Sequence, residues 1–430
     1  MSKWAIKPIK PPEEISYSKP SYEALPTSVL TENRFLPKEL ENECPVSVSL
    51  YNLYESVYPT SGHIAVIIAT ALASMWTDEK RQFNLILAAL PTEGKSSVLQ
   101  GFAAYPWINL FTTTTFAEYL TRYCGKFLDT SMPLGKEIPR GVRIERLGDR
   151  KIISTEGCED RITYFFDVVH AGEGITSFGN YEKLLQLWSG LIEDGYWEGG
   201  TRFSGTYKIG SFLHPVRHGL ILACTIDDLK NKWMREEGML SRAIVCRYKS
   251  REEENEWIRK AKAPPQPLLP KPEKINFPLL VQSHLKHLGP HLLHRKMTFS
   301  PAVDESVTKN ITYLITEGRE EPTIKRATDD TMRILKGHAR LNRRDKVVLE
   351  DVIFCEALLQ MCKPFEKDEV SGDRLQFQCA IRRLLYGGDI KRVKREIMET
   401  FKEFGSNDPL YKESVIDRVL TQKVGLEAYR

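Results

Sequence analysis

The strongest constraint on the fold is a glycine-containing turn at residues 89–96, which reads Ala-Leu-Pro-Thr-Glu-Gly-Lys-Ser. The apolar residues 85–89 predict a strand, and the run that starts at Ser97 predicts a helix. A turn between them presents backbone N–H groups and a helix N-terminus, which attract phosphate oxygens. The order therefore indicates a phosphate-binding loop, in which Lys95 reaches the β- and γ-phosphates of ATP and Ser96 ligates Mg²⁺.

Ala89 takes the place of the first glycine in the usual pattern. Alanine is tolerated at the end of a strand, and the interpretation as a phosphate-binding loop depends on the Gly-Lys-Ser tripeptide. An ordinary surface turn at residues 94–95 is the alternative. The residues expected to contact the nucleotide are Pro91, Thr92, Glu93, Gly94, Lys95, Ser96, Ser97 and, from the next strand considered, Asp167.

A second apolar strand is predicted at residues 162–167, and it ends in Asp167. That carboxylate would lie at the carboxyl edge of the sheet, where it can hold Mg²⁺ opposite Ser96. Active ATPases of this kind usually place a glutamate next, but this chain has Val168. Either Glu173 activates the water, or hydrolysis is slow and the protein is a nucleotide-gated binder. Glu173 as an ordinary solvated loop residue is the structural alternative.

A third apolar strand, residues 219–225, ends in Thr225. Within the same sheet it would lie between the other two strands, with Thr225 close to the γ-phosphate or the water. Arg242 directly precedes another strand-like run, and from that position an arginine can reach into a neighbour's nucleotide pocket. A surface arginine at the start of a strand is the alternative.

Composition limits the classes of protein to which this chain can belong. The 430 residues are 41% hydrophobic with a net charge of +4, which is too small to indicate a polyanion partner by itself. Eight cysteines without a C-x-x-C pair indicate no zinc or redox motif. The start of the chain lacks a signal-like pattern, and the longest apolar run, residues 64–75, is too short to span a bilayer. We therefore expect a soluble, cytoplasmic protein without a membrane partner.

Short apolar runs alternate with helical patterns and predict an α/β class fold, with a mostly parallel sheet followed by helices. Six prolines in residues 261–278 indicate a linker. The predicted organisation is an extended proline-rich arm (1–45), an α/β ATPase core with N-terminal helices (46–260), the linker (261–278), a helical lid (279–366) and a C-terminal helical or winged-helix domain (374–430).

The order of these motifs resembles the AAA+ ATPases, and among them the minichromosome maintenance type replicative helicases and helicase-like proteins of mobile elements. Residues 240–242, Leu-Ser-Arg, match the start of the family's arginine-finger motif, although residues 243–244 do not match its continuation. Residues 334–341, with His338 and Arg340, resemble the family's lid motif, and Arg326 stands twelve residues before the histidine, where the family has its sensor arginine. Residues 345–352 resemble the start of the last lid helix.

The resemblance covers residues 84–361 and implies an AAA+ P-loop domain that binds ATP and Mg²⁺ and assembles as a homo-oligomer, a hexameric ring. It also implies that Arg242 and Arg326 complete the nucleotide site, both from the adjacent subunit. The family's zinc-containing N-terminal domain has no counterpart here. For the lid motif, core packing of an amphipathic helix is the alternative.

A hairpin with aromatic and basic residues is predicted at residues 194–209. In the resembling family a hairpin at this place projects into the central channel, which makes Arg202, Tyr207 and Lys208 the candidate contacts to single-stranded DNA. Packing against the next subunit is the alternative. A second hairpin is predicted at 143–154, and a basic cluster occurs in the C-terminal segment: Arg382, Arg383, Lys391, Arg392, Lys394 and Arg395.

The sequence thus leads to an ATP-dependent, ring-forming AAA+ motor that acts on DNA, a replicative-type helicase or translocase. The alternative is a nucleotide-switched DNA-binding assembly, such as an initiator, a loader or a transposition regulator, with little or no hydrolysis; Val168 favours it. A third alternative is a protein remodeller, which the aromatic pair at residues 196–197 supports.

Overall fold

Helices and a parallel sheet build the part of the chain that the computed structural model describes. The described residues are 35–58, 60–89, 95–111, 127–128, 142–147, 150–155, 161–165, 178–201, 205–209, 217–225, 242–248, 276–293, 295–317, 324–362, 373–403 and 413–421.

The strands are β1 (Leu85–Ala89), β2 (Ile108–Phe111), β3 (Phe127–Leu128), β4 (Val142–Leu147), β5 (Arg150–Thr155), β6 (Arg161–Phe165), β7 (Trp197–Thr201), β8 (Gly205–Ile209), β9 (His218–Thr225), β10 (Ile244–Tyr248), β11 (Thr298–Phe299) and β12 (Lys346–Val347). The α-helices are α1 (Pro45–Val57), α2 (Gly62–Ser74), α3 (Lys95–Gln100), α4 (Phe178–Glu193), α5 (Phe277–Leu285), α6 (Glu305–Glu317), α7 (Ile324–Leu341), α8 (Leu349–Gln360), α9 (Asp373–Leu385), α10 (Ile390–Glu403) and α11 (Glu413–Thr421). Single 3-10 turns lie at Lys38–Leu40 and Pro290–Leu292.

Five parallel strands form the main sheet, in the order β10-β1-β9-β6-β2. Every residue of β1 is buried, and β9 is buried up to its last residue, Thr225. Strands that are covered on both faces are nearly continuous apolar runs, which is why residues 85–89 and 219–224 were recognisable as strands. The predicted mixed fold with a parallel sheet is confirmed, and so is the expected position of β9 between β1 and β6.

Helix α2 is predominantly apolar, and all thirteen of its residues are buried. It packs against α7 so closely that a Cβ atom at Gly337 would lie 2.7 Å from the carbonyl oxygen of Thr70. Glycine at this position therefore allows the two helix backbones to approach. The predicted lid helices thus pack on the helices that precede the sheet.

Both predicted hairpins are present as antiparallel pairs. Strands β4 and β5 pair from Val142 opposite Thr155 to Leu147 opposite Arg150, and β3 extends this small sheet. Strands β7 and β8 pair from Trp197 opposite Ile209 to Thr201 opposite Gly205. Each lies outside the five-stranded sheet.

The C-terminal helices α9, α10 and α11 pack on the helices of the earlier chain. Phe377 on α9 stacks on Tyr51 of α1, with ring centroids 5.2 Å apart. Arg382, a member of the basic cluster, is 1% exposed and donates hydrogen bonds to the Phe35 carbonyl and the Thr400 hydroxyl, each at 3.1 Å. This arginine therefore has a structural role, and it ties residue 35 of the predicted arm to α9.

Contacts place the chain from Asn33 to Arg430 in one unit. The division of residues 46–430 into core, linker, lid and C-terminal domain stays a prediction. None of the described helices combines the length and the apolar character that a bilayer crossing requires.

Candidate functional site

The phosphate-loop segment has a strand on one side and a helix on the other, in the predicted order. Strand β1 ends at Ala89 and α3 begins at Lys95. Residues 90–94, which include Pro91, Thr92, Glu93 and Gly94, lie outside the described residues. For Lys95 and Ser96 the structure gives the helical backbone, and Ser97 is half-buried.

Tyr54 of α1 contacts α3 and the residues that follow it. The Tyr54 hydroxyl donates a hydrogen bond of 3.0 Å to the Val98 carbonyl. Val98 lies in the last turn of α3, where the carbonyls have no amide partner within the helix. The Tyr54 ring packs on Phe102 and Phe277, with centroid distances of 5.7 and 5.0 Å. A Cβ atom at Gly101 would collide with the Tyr54 hydroxyl. The position of the helix after the predicted phosphate loop is thus fixed by packing against Tyr54.

The carboxyl edge of the sheet brings the ends of β1 and β9 together. Thr225, the last residue of β9, lies in register with Ala89, the last residue of β1. The chain leaves β1 towards β2 at one edge of the sheet, whereas it leaves β9 towards β10 at the other. Ligands of parallel α/β sheets bind where neighbouring strands send the chain in opposite directions. The point between Ala89 and Thr225 is such a place.

The candidate carboxylates follow β6. This strand ends at Phe165, two residues before Asp167, and runs parallel to β9. Asp167 and Glu173 themselves lie outside the described residues, and their roles stay predictions.

Arg242 and Arg326 lie side by side, joined through a residue that the sequence did not indicate. Oε1 of Glu193 lies 2.9 Å from Nε of Arg242 and 2.8 Å from Nη2 of Arg326. Side-chain exposure is 19% for Arg242, 40% for Arg326 and 24% for Glu193. One carboxylate oxygen thus bridges two guanidinium groups at the protein surface. We call these three residues the arginine cluster.

Three elements meet at the arginine cluster. Glu193 is the last residue of α4, Arg242 stands two residues before β10, and Arg326 lies in the first turn of α7. A small open pocket beside it is lined by Arg81, Gln82, Asn84, Ile192, Glu193, Arg242, Arg326, Asp329, Asp330 and Arg333.

The arginine cluster is at the amino edge of the sheet, opposite the predicted phosphate loop. Asn84 directly precedes β1; its side chain accepts a hydrogen bond of 2.9 Å from the Leu220 amide, and its carbonyl accepts one of 3.0 Å from the Ile244 amide. A five-residue strand separates the two edges by roughly 15 Å. Arg242 and Arg326 are therefore directed away from the phosphate loop of their own chain.

The lid residues that carry the family resemblance form an internal network. His338 Nδ1 lies 2.7 Å from Asp351 Oδ1, and Nε2 lies 3.0 Å from Ser47 Oγ. Ser47 Oγ also accepts a hydrogen bond of 2.9 Å from the side-chain amide of Asn342. Arg344 binds the same Asp351 carboxylate with both terminal nitrogens, at 2.7 and 2.8 Å.

Ser47, His338 and Asp351 have the order of a catalytic triad, but all three are 0% exposed. No substrate can reach them, so the network is structural. Cys44 also lies near His338 and Asp351, in a grouping whose composition fits a metal ion. Both ring nitrogens of His338 already have hydrogen-bond partners, and so does the carboxylate of Asp351, so this site needs no metal to satisfy its polar atoms.

For the candidate DNA contacts the structure shows only the backbone. Tyr207 and Lys208 lie on β8, in register with Gly199 and Glu198 of β7, and Arg202 lies outside the described residues. The hairpin begins at Trp197, four residues after Glu193, so the arginine cluster and the hairpin are joined by a short segment.

Of the predicted site residues, the structure therefore brings together Arg242 with Arg326, and Ala89 with Thr225. Glu193 was missed because an acidic residue at a helix end is common in any amphipathic helix. A comparison of the chain with protein-family models found no match, and a search among curated proteins found none either.

Proposed function

We propose that this protein is an ATP-dependent, ring-forming AAA+ motor that acts on DNA, a replicative-type helicase or translocase. The observation that carries the proposal is the strand order: β9 lies between β1 and β6, so that Thr225 stands beside the start of the predicted phosphate loop. A ligand at this edge would meet the loop on one side and the end of β6, followed by Asp167, on the other.

The arginine cluster supports assembly into a ring. Arg242 and Arg326 lie at the edge away from their own phosphate loop, and both are partly exposed. In a head-to-tail ring this edge of one subunit faces the nucleotide of the next, and repeated rotation closes the ring. The two arginines would then stabilise the charge that develops on the γ-phosphate. A hexamer is the proposed size.

Each residue of the pocket has a proposed role. Lys95 binds the β- and γ-phosphates, Ser96 and Asp167 supply oxygen ligands for Mg²⁺, and Thr225 senses the γ-phosphate. Hydroxyl and carboxylate oxygens are the ligands that Mg²⁺ prefers, and both residues follow strands that end at the same sheet edge. The ion would neutralise phosphate charge when bound. Glu173 is the proposed base, since Val168 occupies the usual position.

The proposed DNA site is the hairpin β7–β8, with Arg202, Tyr207 and Lys208. Its support is the short connection from Glu193 to Trp197, which links the hairpin to the surface that meets the neighbouring nucleotide. A change at that surface would then reach the hairpin directly. The alternative function is a nucleotide-switched DNA-binding assembly with little or no hydrolysis, which Val168 favours.

Steady-state ATP hydrolysis, measured with and without single-stranded DNA, tests the proposal. We expect turnover that DNA stimulates and that Lys95→Ala and Glu173→Gln each reduce about 100-fold or more. Lys309→Ala, an exposed lysine on α6, is the control and should hydrolyse ATP like the unaltered protein. ATP binding that depends on Lys95, without turnover in any condition, would favour the alternative. Absence of ATP binding would refute both.

A further inference from the structure

Two arginines share one carboxylate oxygen, that of Glu193, at the protein surface. Arg242 and Arg326 come from different elements, and two guanidinium groups that contact the same carboxylate oxygen are close enough to repel each other. Both side chains are long and have many rotamers. Glu193 Oε1 offsets the repulsion: it accepts a hydrogen bond of 2.8 Å from Nη2 of Arg326 and forms an ion pair with Nε of Arg242 at 2.9 Å.

We propose that Glu193 is a positioning residue: it holds Arg242 and Arg326 as one paired receptor for the terminal phosphate of a nucleotide bound by the neighbouring copy of this chain. The inference rests on the proposed function and adds a residue that acts through the arginines. Glu193 touches Nε of Arg242, the inner nitrogen of the guanidinium, and one terminal nitrogen of Arg326.

Two further acids line the same pocket as the arginine cluster. Asp330 on α7 pairs with Arg333, and Asp329 lies 3.8 Å from the same arginine. Glu193 instead links the end of α4 to the start of α7 and to the segment before β10. Groups that are already held in the bound arrangement lose less conformational entropy when a ligand arrives, so a paired receptor binds phosphate more tightly than two independent arginines.

A mixed-ring experiment separates this role from a general structural one. Lys95→Ala and Arg242→Ala chains are each expected to be inactive alone. When the two are mixed, some interfaces combine an intact Lys95 from the Arg242→Ala chain with an intact Arg242 from the Lys95→Ala chain. Turnover should therefore return in part.

Glu193→Gln is then added to one chain at a time. On the Lys95→Ala chain, which supplies the arginines, it should reduce the recovered kcat at least fivefold. On the Arg242→Ala chain it should leave the recovered kcat unchanged. A loss caused by misfolding would be equal in both placements. Glu399→Gln, an exposed acid on α10, is the matched control and should have no effect in either chain.

The outcomes are distinguishable. If the unaltered protein has no turnover, the motor function is refuted, and this inference with it. If the unaltered protein is active but the mixture recovers nothing, the neighbouring-subunit arrangement is wrong, and the inference falls. If recovery occurs and Glu193→Gln has no effect, or the same effect in both placements, Glu193 does not position the arginines although the proposed function stands.

Discussion

The side chain of Asp351 connects α7, the residues that follow it and the start of α8. Its carboxylate accepts hydrogen bonds from His338 on α7, from Arg344 after α7 and from the Val348 amide at the start of α8, and it is 0% exposed. A buried charge of this kind is stable only while its partners remain, because desolvation penalises it.

We therefore expect Asp351→Asn to lower the free energy of unfolding by about 3 kcal/mol, since Arg344 loses the carboxylate that both of its terminal nitrogens bind. Urea denaturation followed by circular dichroism measures the change. Glu350→Gln, the neighbouring and half-buried acid on α8, should change stability by less than about 1 kcal/mol. Equal losses in the two variants would contradict the assignment.

At the residue scale, the sequence was informative where a motif has local spacing. A helix was predicted to follow β1 from Ser97, and the structure begins it two residues earlier, so that Lys95 and Ser96 form its start. Glu193 was not predictable, because its contact to Arg326 joins residues 133 positions apart. Arg382 was included in a basic cluster, but the fold buries it, and a count of basic residues has no information on burial.

Among the elements, α2 and α7 are joined by a contact that only glycine permits. Replacing glycine with alanine inside an exposed helix usually stabilises it by about 1 kcal/mol. At Gly337 the added methyl would lie 2.7 Å from the Thr70 carbonyl oxygen and 3.0 Å from Ser74 Cβ, so the two backbones would have to separate.

Gly337→Ala should accordingly destabilise the protein, by about 1–3 kcal/mol. Thermal unfolding monitored by calorimetry, or a urea titration, would measure it. Lys325→Ala, on the exposed side of the same helix, serves as the control and should stay within about 0.5 kcal/mol of the unaltered protein. A stabilised Gly337→Ala variant would show that the helices have room to move apart.

Elements with a plain periodic pattern were predictable. The apolar runs at 85–89 and 219–225 became adjacent parallel strands, and the alternation in 194–209 became the hairpin β7–β8. Packing partners were not predictable: α1 and α2 were assigned to the sheet domain, yet α2 packs against α7 and α1 contacts α9 through Tyr51 and Phe377. Such contacts depend on how the side chains of distant segments fit together. The hydrophobic periodicity within one segment contains no information about that fit.

For the molecule as a whole, two fully buried histidines make stability depend on pH. Burial lowers the pKa of His63 to about 3 and the pKa of His218 to about 4. Among the described residues, neither ring nitrogen of His63 has a hydrogen-bond partner. In the unfolded chain both histidines titrate near pH 6.5, so between that pH and the folded pKa the unfolded state binds more protons.

Stability should therefore be complete above about pH 6.5 and decline as the pH falls, by roughly 1.4 kcal/mol per pH unit for each histidine. Between pH 6.5 and pH 5 this amounts to about 2 kcal/mol per histidine. Urea denaturation at several pH values would show the decline, and His63→Phe should make it shallower. A pH-independent free energy of unfolding over this range would contradict the burial of both neutral rings.

The hydrogen bonds that hold α1 also determine when it can fold during synthesis. The Asn342 side chain caps the first turn of α1 by accepting from the amides of Val46 and Ser47, 296 and 295 positions earlier in the chain. At ribosomal rates of about 5–20 residues per second, this cap is made roughly 15–60 s after α1 leaves the ribosome. The cap of α1 therefore depends on a residue that is synthesised 295 and 296 positions after its two partners, so α1 leaves the ribosome without it.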